Sequence, residues 1–135
     1  MTKITTFLMF SGDKHGKADE AINFYVAQFP DSRIDSIKRY GSGENEPEGT
    51  VKLATFTLSG QQFMAIDSAA PHQFNFTPSM SLFIQCGTEE EIVRLFGVLA
   101  ESGQVLMPLD NYGFSRSFGW VNDRFGVSWQ LNLAA

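Results

Sequence analysis

The chain has 135 residues, 43% of them hydrophobic, and a formal net charge of -5. That length suits one compact domain with enough apolar material for a core. An acidic balance without a basic run excludes a surface that tracks nucleic-acid phosphates and one that binds anionic membranes.

Thirteen Phe, two Trp and three Tyr point to a core or pocket rich in aromatic rings. Cys86 is the single cysteine, so no intramolecular disulfide can form. The apolar stretch FLMF near the start is far shorter than the ~7–15 residues of a signal-peptide core. No run approaches the ~18 apolar residues of a membrane span. A cytoplasmic protein is the expectation.

Ile4 to Phe10 reads as a strand, β-branched and aromatic, broken by Ser11-Gly12-Asp13. ADEAINFYVAQF then reads as a helix. Its Ile22, Tyr25, Val26 and Phe29 recur at i, i+3, i+4, i+7, and Asp19 and Glu20 sit where the helix dipole favours them. RIDSIKRY alternates as a strand does, and GSGENEPEGT reads as an exposed hairpin loop. VKLATFTL and QQFMAID form two strands about a tight turn at Ser59-Gly60. A long loop with Pro71 and Pro78 follows, and a loop of that length commonly covers something.

The pattern then restarts. SMSLFIQC reads as a strand, and TEEEIVRLFGVLA as a helix opened by a capping box of Thr88 and Glu91. QVLMPL is a short strand weakened by Pro108, and FGWVND and VSWQLNL are strands joined around Arg124-Phe125-Gly126. The two helices superimpose without a gap, Ile22, Tyr25, Val26 and Phe29 falling on Ile92, Leu95, Phe96 and Leu99. The sequence therefore predicts an α+β domain, 1–135, built from two βαβββ modules at about 1–70 and 78–135. Each module would set one helix on a curved mixed or antiparallel sheet, and the opposite faces could enclose a cavity.

FLMFSG with ADEAINFY, GQQFMAIDS, and FGWVNDRFGVSWQL together resemble the PhnB-like branch of the glyoxalase / bleomycin-resistance / extradiol-dioxygenase (vicinal oxygen chelate) superfamily. Members of this branch are often labelled demethylubiquinone methyltransferase-like. The resemblance implies paired βαβββ modules, a homodimer, and a cavity in the curved sheet that takes a small-molecule ligand. It also implies that metal-using relatives draw ligands from the first and last strand of each module. Counting from Gly12 and Gly87, and from Gly60 and Gly126, places those positions at Thr6, Met64, Ser81 and Gln130.

A divalent ion of the zinc or iron type wants imidazole, carboxylate or thiolate donors. Those four residues offer hydroxyls, a thioether and one carboxamide oxygen, so the expectation is no metal and no cofactor at these positions. No Gly-rich strand-to-helix turn marks a nucleotide-type cofactor site either. Asp67, at a strand end, and His72, in the inter-module loop, are the acid–base candidates, each with the blander reading of a turn or loop residue. Cys86 reads as a buried, inert thiol. Thr6, Met64, Ser81, Tyr112, Trp120 and Gln130 are the candidate ligand-binding residues, with alternation placing Ser128 and Asn132 beside Gln130. The function expected is small-molecule binding. The alternative is a lyase, isomerase or dioxygenase-type enzyme acting through a recruited metal or a metal-free acid–base group.

Overall fold

The computed structural model describes residues 1–135 and divides into two compact units, Met1–Asn75 and Phe76–Ala135. The first unit runs β1 (Thr6–Phe10), a short 3-10 turn (Gly12–Lys14), α1 (Ala18–Gln28), β2 (Arg33–Arg39), β3 (Val51–Leu58) and β4 (Gln61–Asp67). The second repeats the order as β5 (Leu82–Cys86), α2 (Glu89–Ala100), β6 (Gln104–Asp110), β7 (Ser117–Asn122) and β8 (Ser128–Leu133). The fold is the α+β arrangement of two four-stranded mixed sheets with one helix each, ordered β1-β4-β3-β2 and β5-β8-β7-β6. In each sheet the first strand lies parallel to the last and the remaining pairs are antiparallel.

Each helix buries part of the stripe that its periodicity announced, with Val26, Phe29 and Phe96 half-buried and Phe29 just past the end of α1. Ile22 and Tyr25 of α1, and Ile92, Leu95 and Leu99 of α2, are buried. Under α1 the buried row is Leu8, Phe10, Ala54, Phe56, Phe63 and Ala65, with the Phe56 and Phe63 rings stacked at 5.5 Å. Under α2, Gly119 is required by close approach. A Cβ there would stand 2.6 Å from the Phe96 ring, so the ring lies directly on the β7 backbone. The β3–β4 turn has positive φ at both Ser59 and Gly60, as a two-residue hairpin turn with the strands' own twist demands. Pro108 is tolerated because β6 is an edge strand.

Two strands begin later than their apolar composition suggests. β1 starts at Thr6, and Ile4 is left exposed, because the pairing with β4 begins at Thr6↔Phe63. β5 starts at Leu82 because Thr77 to Met80 close a turn, Met80 N donating to Thr77 O at 3.3 Å.

The helix starts are satisfied differently. Thr88 accepts from Glu91 N at 3.1 Å, while the Glu91 carboxylate reaches back to Gly87 N at 2.8 Å, one residue ahead of the usual box. The N-cap of α1 is Lys17, which supplies no side-chain bond. Its amides are capped from a distant strand: Asp67 Oδ1 accepts from Gly16 N at 2.9 Å and Ala18 N at 3.1 Å, and Oδ2 accepts from Val51 N at 2.9 Å. One buried carboxylate thus ties α1, β3 and β4 together.

Replacing Asp67→Ala leaves two buried amides and one part-buried amide without acceptors. The expected loss is about 3 kcal/mol of unfolding free energy, read as a lower urea midpoint at unchanged slope. An unchanged midpoint would refute the capping role.

Candidate functional site

The second sheet sorts its residues by register. Gly119 pairs with Leu131 and lies under Phe96, so this row and the alternating Trp129 and Val121 face α2. The intervening residues face the other way. On that opposite face three rows cross the sheet from β6 to β5. The first is Gln104, Asn122, Ser128 and Ser81; the second is Met107, Trp120, Gln130 and Phe83; the third is Asp110, Phe118, Asn132 and Gln85.

The first two rows are laced together. Trp120 Nε1 donates to Ser128 Oγ at 2.8 Å, Ser128 Oγ meets Ser81 Oγ at 2.7 Å, and Gln130 Nε2 donates to Ser81 Oγ at 3.4 Å. Ser128 is buried, while Ser81, Trp120 and Gln130 are half-buried. In the third row Asn132 Nδ2 donates to Gln85 Oε1 at 3.1 Å. Tyr112 and Phe114, on the loop after β6, stack on each other at 6.3 Å and meet Phe118 edge-on at 6.2 and 5.1 Å. The Tyr112 hydroxyl donates to Pro108 O, which holds that loop. Ser81, Trp120 and Gln130 therefore form one cluster, and Tyr112 stands one row away, over Phe118.

The first sheet treats the corresponding residues differently. Met64 pairs with Phe7, on the face opposite α1, beside Thr55 and near Ile66 and Met9. Thr6 pairs with Phe63 and belongs to the helix side. Thr6 and Met64 are thus on opposite faces. The reason is a one-residue offset: in the strand pairings Phe10 corresponds to Cys86, so Gly87 matches Ser11, not Gly12. A shift of one residue in a strand exchanges faces. At the outer strands of this sheet, Thr57 donates to Asp35 at 2.7 Å and, with Arg33 beside it, holds that carboxyl below the usual range.

Among the acid–base candidates, Asp67 has both oxygens occupied by backbone amides on the helix side. His72 is exposed; its Nε2 lies 3.1 Å from Ser68 Oγ and its ring 5.0 Å from Phe74. Neither is presented as a base beside a partner acid. His15 is not a solvated loop residue: its buried Nε2 lies 3.7 Å from Glu46 Oε1, and Glu46 in turn accepts from Ala69 N at 2.8 Å. Burial, reinforced by Glu91, pushes the Cys86 thiol up to about 11.

The residue that sequence reasoning passed over is Asp123. Its Oδ1 accepts from Phe125 N at 2.8 Å and Val127 N at 3.1 Å, and its Oδ2 from Trp129 Nε1 at 2.8 Å. The local signal is an Asp opening a turn that contains Gly126, six residues before an indole donor.

No three His, Cys, Asp or Glu side chains come together to hold a metal ion. The cluster itself offers Ser81, Ser128 and the Gln130 carboxamide, none anionic and none imidazole. This donor set does not fit a catalytic divalent cation, and no chemistry is routed through one here.

These features define a glyoxalase/bleomycin-resistance-type fold with a hydrogen-bonded, aromatic-flanked face in its second half. Residues 2–132 match the family model described as 3-demethylubiquinone-9 3-methyltransferase, and the chain belongs to that PhnB-like family. A solved structure described as a putative 3-demethylubiquinone-9 3-methyltransferase, PhnB protein, from Bacillus cereus is 58% identical, with 98% of this chain and 100% of that one covered and a TM-score of 0.93. Protein YjdN of Escherichia coli (strain K12) is 27% identical over 96% of this chain and 94% of its own length. A glyoxylase/bleomycin resistance protein/dioxygenase domain from Frankia sp. EAN1pec, 11% identical over 100% of this chain and 99% of its own, shares the fold at a TM-score of 0.64.

A thiol as buried and as weakly acidic as Cys86 is protonated at pH 8. In the folded protein it is expected to resist an aromatic disulfide reagent at that pH, and to react stoichiometrically once urea unfolds the chain. Rapid labelling of the native protein would show a reactive site.

Proposed function

We propose that the chain binds a small organic molecule on the face of the second sheet opposite α2, and that it does so without a catalytic metal. The observation that carries this reading is the linked set Trp120, Ser128, Ser81 and Gln130. It concentrates directed polar groups on a half-buried face flanked by Phe83, Phe118, Tyr112 and Phe114. A few placed hydrogen-bonding groups within an aromatic surround are how small-molecule sites are generally built. On this reading Trp120 and Tyr112 flank the ligand and Ser81 and Gln130 orient it. Within the first unit, Thr6 lies on the helix side of its sheet and Met64 on the face opposite α1. Methyl transfer, the activity in the family's description, has no support from the site: neither a nucleotide-type turn nor an acid–base pair stands at the cluster.

The two tryptophans supply an internal control. Trp120 Nε1 is on the proposed face, whereas Trp129 Nε1 is buried against Asp123. A fragment library titrated into ¹⁵N-labelled protein is expected to shift the Trp120 indole and Gln130 side-chain amide signals and leave the Trp129 indole in place. A library that moves neither Trp120 nor Gln130 overturns the reading.

We also propose that two copies of the chain pair. In the second unit Phe83 and Phe114 are exposed at 59% and 65%, and in the first Phe7 at 50%, so each unit has aromatic surface that a second copy would cover. Light scattering is expected to return twice the chain mass at micromolar concentration, consistent with an interface of roughly 1,600 Å² in total. A monomer mass would remove the pairing.

A further inference from the structure

The cluster's hydrogen-bonding capacity is not exhausted within the protein, and what is left over has a definite chemistry. Ser128 Oγ accepts the Trp120 indole proton and Ser81 Oγ accepts from Gln130. The contact between the two serines uses one of their two hydroxyl protons. One hydroxyl therefore remains as a donor. Gln130 commits one N–H to Ser81 and leaves its second N–H as a donor and its carbonyl oxygen as an acceptor. Asn122 stands in the same row as Ser128, and its Oδ1 is buried with no hydrogen-bond partner, although its Nδ2 donates to Gln104 Oε1 at 3.5 Å. A buried amide oxygen left unpaired is destabilising, so the native state gains by supplying it a donor.

The unmet set thus holds one hydroxyl donor, the second N–H of Gln130 and of Asn122, and two amide acceptors, and it is neutral. Across the three rows the one ionisable side chain is Asp110, exposed at the β6 edge, where its own Oδ1 accepts from Asn111 N at 2.7 Å. No Lys, Arg or His stands in the rows to receive an anion. A carboxylate or phosphate would give up water for neutral donors alone and no countercharge. An ammonium would meet carbonyls but also the outward hydroxyl proton, and no carboxylate within the cluster. Burying a charge under those terms is unfavourable, whereas a group with donor and acceptor side by side is matched.

Resting on the binding reading above, we infer that the ligand is an uncharged molecule that presents a carboxamide, lactam or urea group on a planar apolar body. Its N–H groups face the Gln130 and Asn122 carbonyls, and its C=O takes the free serine hydroxyl. Its flat portion lies among Trp120, Phe83 and Phe118.

Three near-isosteric probes test this: benzamide, benzoate and benzylammonium, each titrated at pH 7 while the Trp120 indole signal is followed. Benzamide is expected to bind about tenfold or more tightly than either ion. In Gln130→Glu, benzamide should weaken by about tenfold and benzylammonium should strengthen, a reversal that mere loosening of the sheet would not produce. The unchanged Trp129 signal reports that the variant is folded. Benzoate or benzylammonium binding the unaltered chain as tightly as benzamide overturns the inference. So does the failure of all three where the fragment library does shift Trp120, in which case the site stands and the ligand class falls. If the library too leaves Trp120 unmoved, the binding reading fails with it.

Discussion

The candidate site depends on one carboxylate that is not part of it. Asp123 sits in the β7–β8 turn and takes two backbone amides and the Trp129 indole proton. That fixes how far β8 is threaded past β7, and hence that Trp120 is opposite Gln130 and Asn122 opposite Ser128. Because a strand alternates faces at every residue, a slip of one position would send Gln130 toward α2 and bring Trp129 and Leu131 to the other face. The buried core resists the slip as well. Phe96 rests where Gly119 has no side chain, and no neighbouring residue of β7 could take that place. The polar face therefore exists because a turn and a glycine, both on the opposite side of the problem, leave the sheet a single register.

The two sheets share a topology and diverge in chemistry. Asp67 and Asp123 are both buried acids that work on backbone amides, but they secure different things. Asp67 anchors the start of α1 to β3, whereas Asp123 secures a hairpin, the start of α2 being capped locally by Thr88. The faces opposite the helices differ more. Met64, Phe7, Ile66 and Met9 make the first apolar at its centre, with Arg33 and Asp35 toward its edge. Serines, carboxamides and one indole make the second polar but uncharged. Duplication explains the shared frame. The linked, uncharged cluster of Trp120, Ser128, Ser81 and Gln130 belongs to the second half alone, and it is the reason that half is the candidate site.

Much of the fold was legible because it rests on periodicity. The helical stripes, the Ser59-Gly60 turn and the alternation in VSWQLNL each follow from local residues, and each is present in the structure. The strand starts were less so, since Ile4 and Met80 are apolar yet lie beyond any pairing partner, and pairing is a property of two segments at once. The site was legible where face and register agreed. Alternation sets Ser128 beside Gln130, the module repeat sets Ser81 and Gln130 on corresponding strands, and these residues share one hydrogen-bonded face with Trp120. Thr6 was placed by counting from a glycine. Gly12 has a φ of 60° and belongs to the turn after β1, whereas Gly87 sits directly at the end of β5. Two glycines serving different turns are poor markers of register, and an error of one residue is enough to change faces. Asp123 was invisible for another reason: its importance lies in an indole donor that only the folded hairpin brings within reach.

The absence of a metal-type donor set and the neutrality of the face are one fact seen from two sides. A cluster of carboxylates and imidazoles held without a cation would have to be solvated or protonated, and would not sit half-buried beside Phe83 and Trp120. Ser81, Ser128 and Gln130 satisfy part of one another's capacity with no counter-ion. They can therefore be held ready on a rigid sheet, and on the binding reading proposed above a ligand would displace water without uncovering a charge. A site built this way selects by the pattern of donors and acceptors, since each group left unpaired by a wrong ligand weakens it. Coulomb attraction contributes little to that choice. General acid–base chemistry needs a titratable group at the reacting atom, and the two carboxylates that the fold buries, Asp67 and Asp123, are already spent on holding its backbone in place.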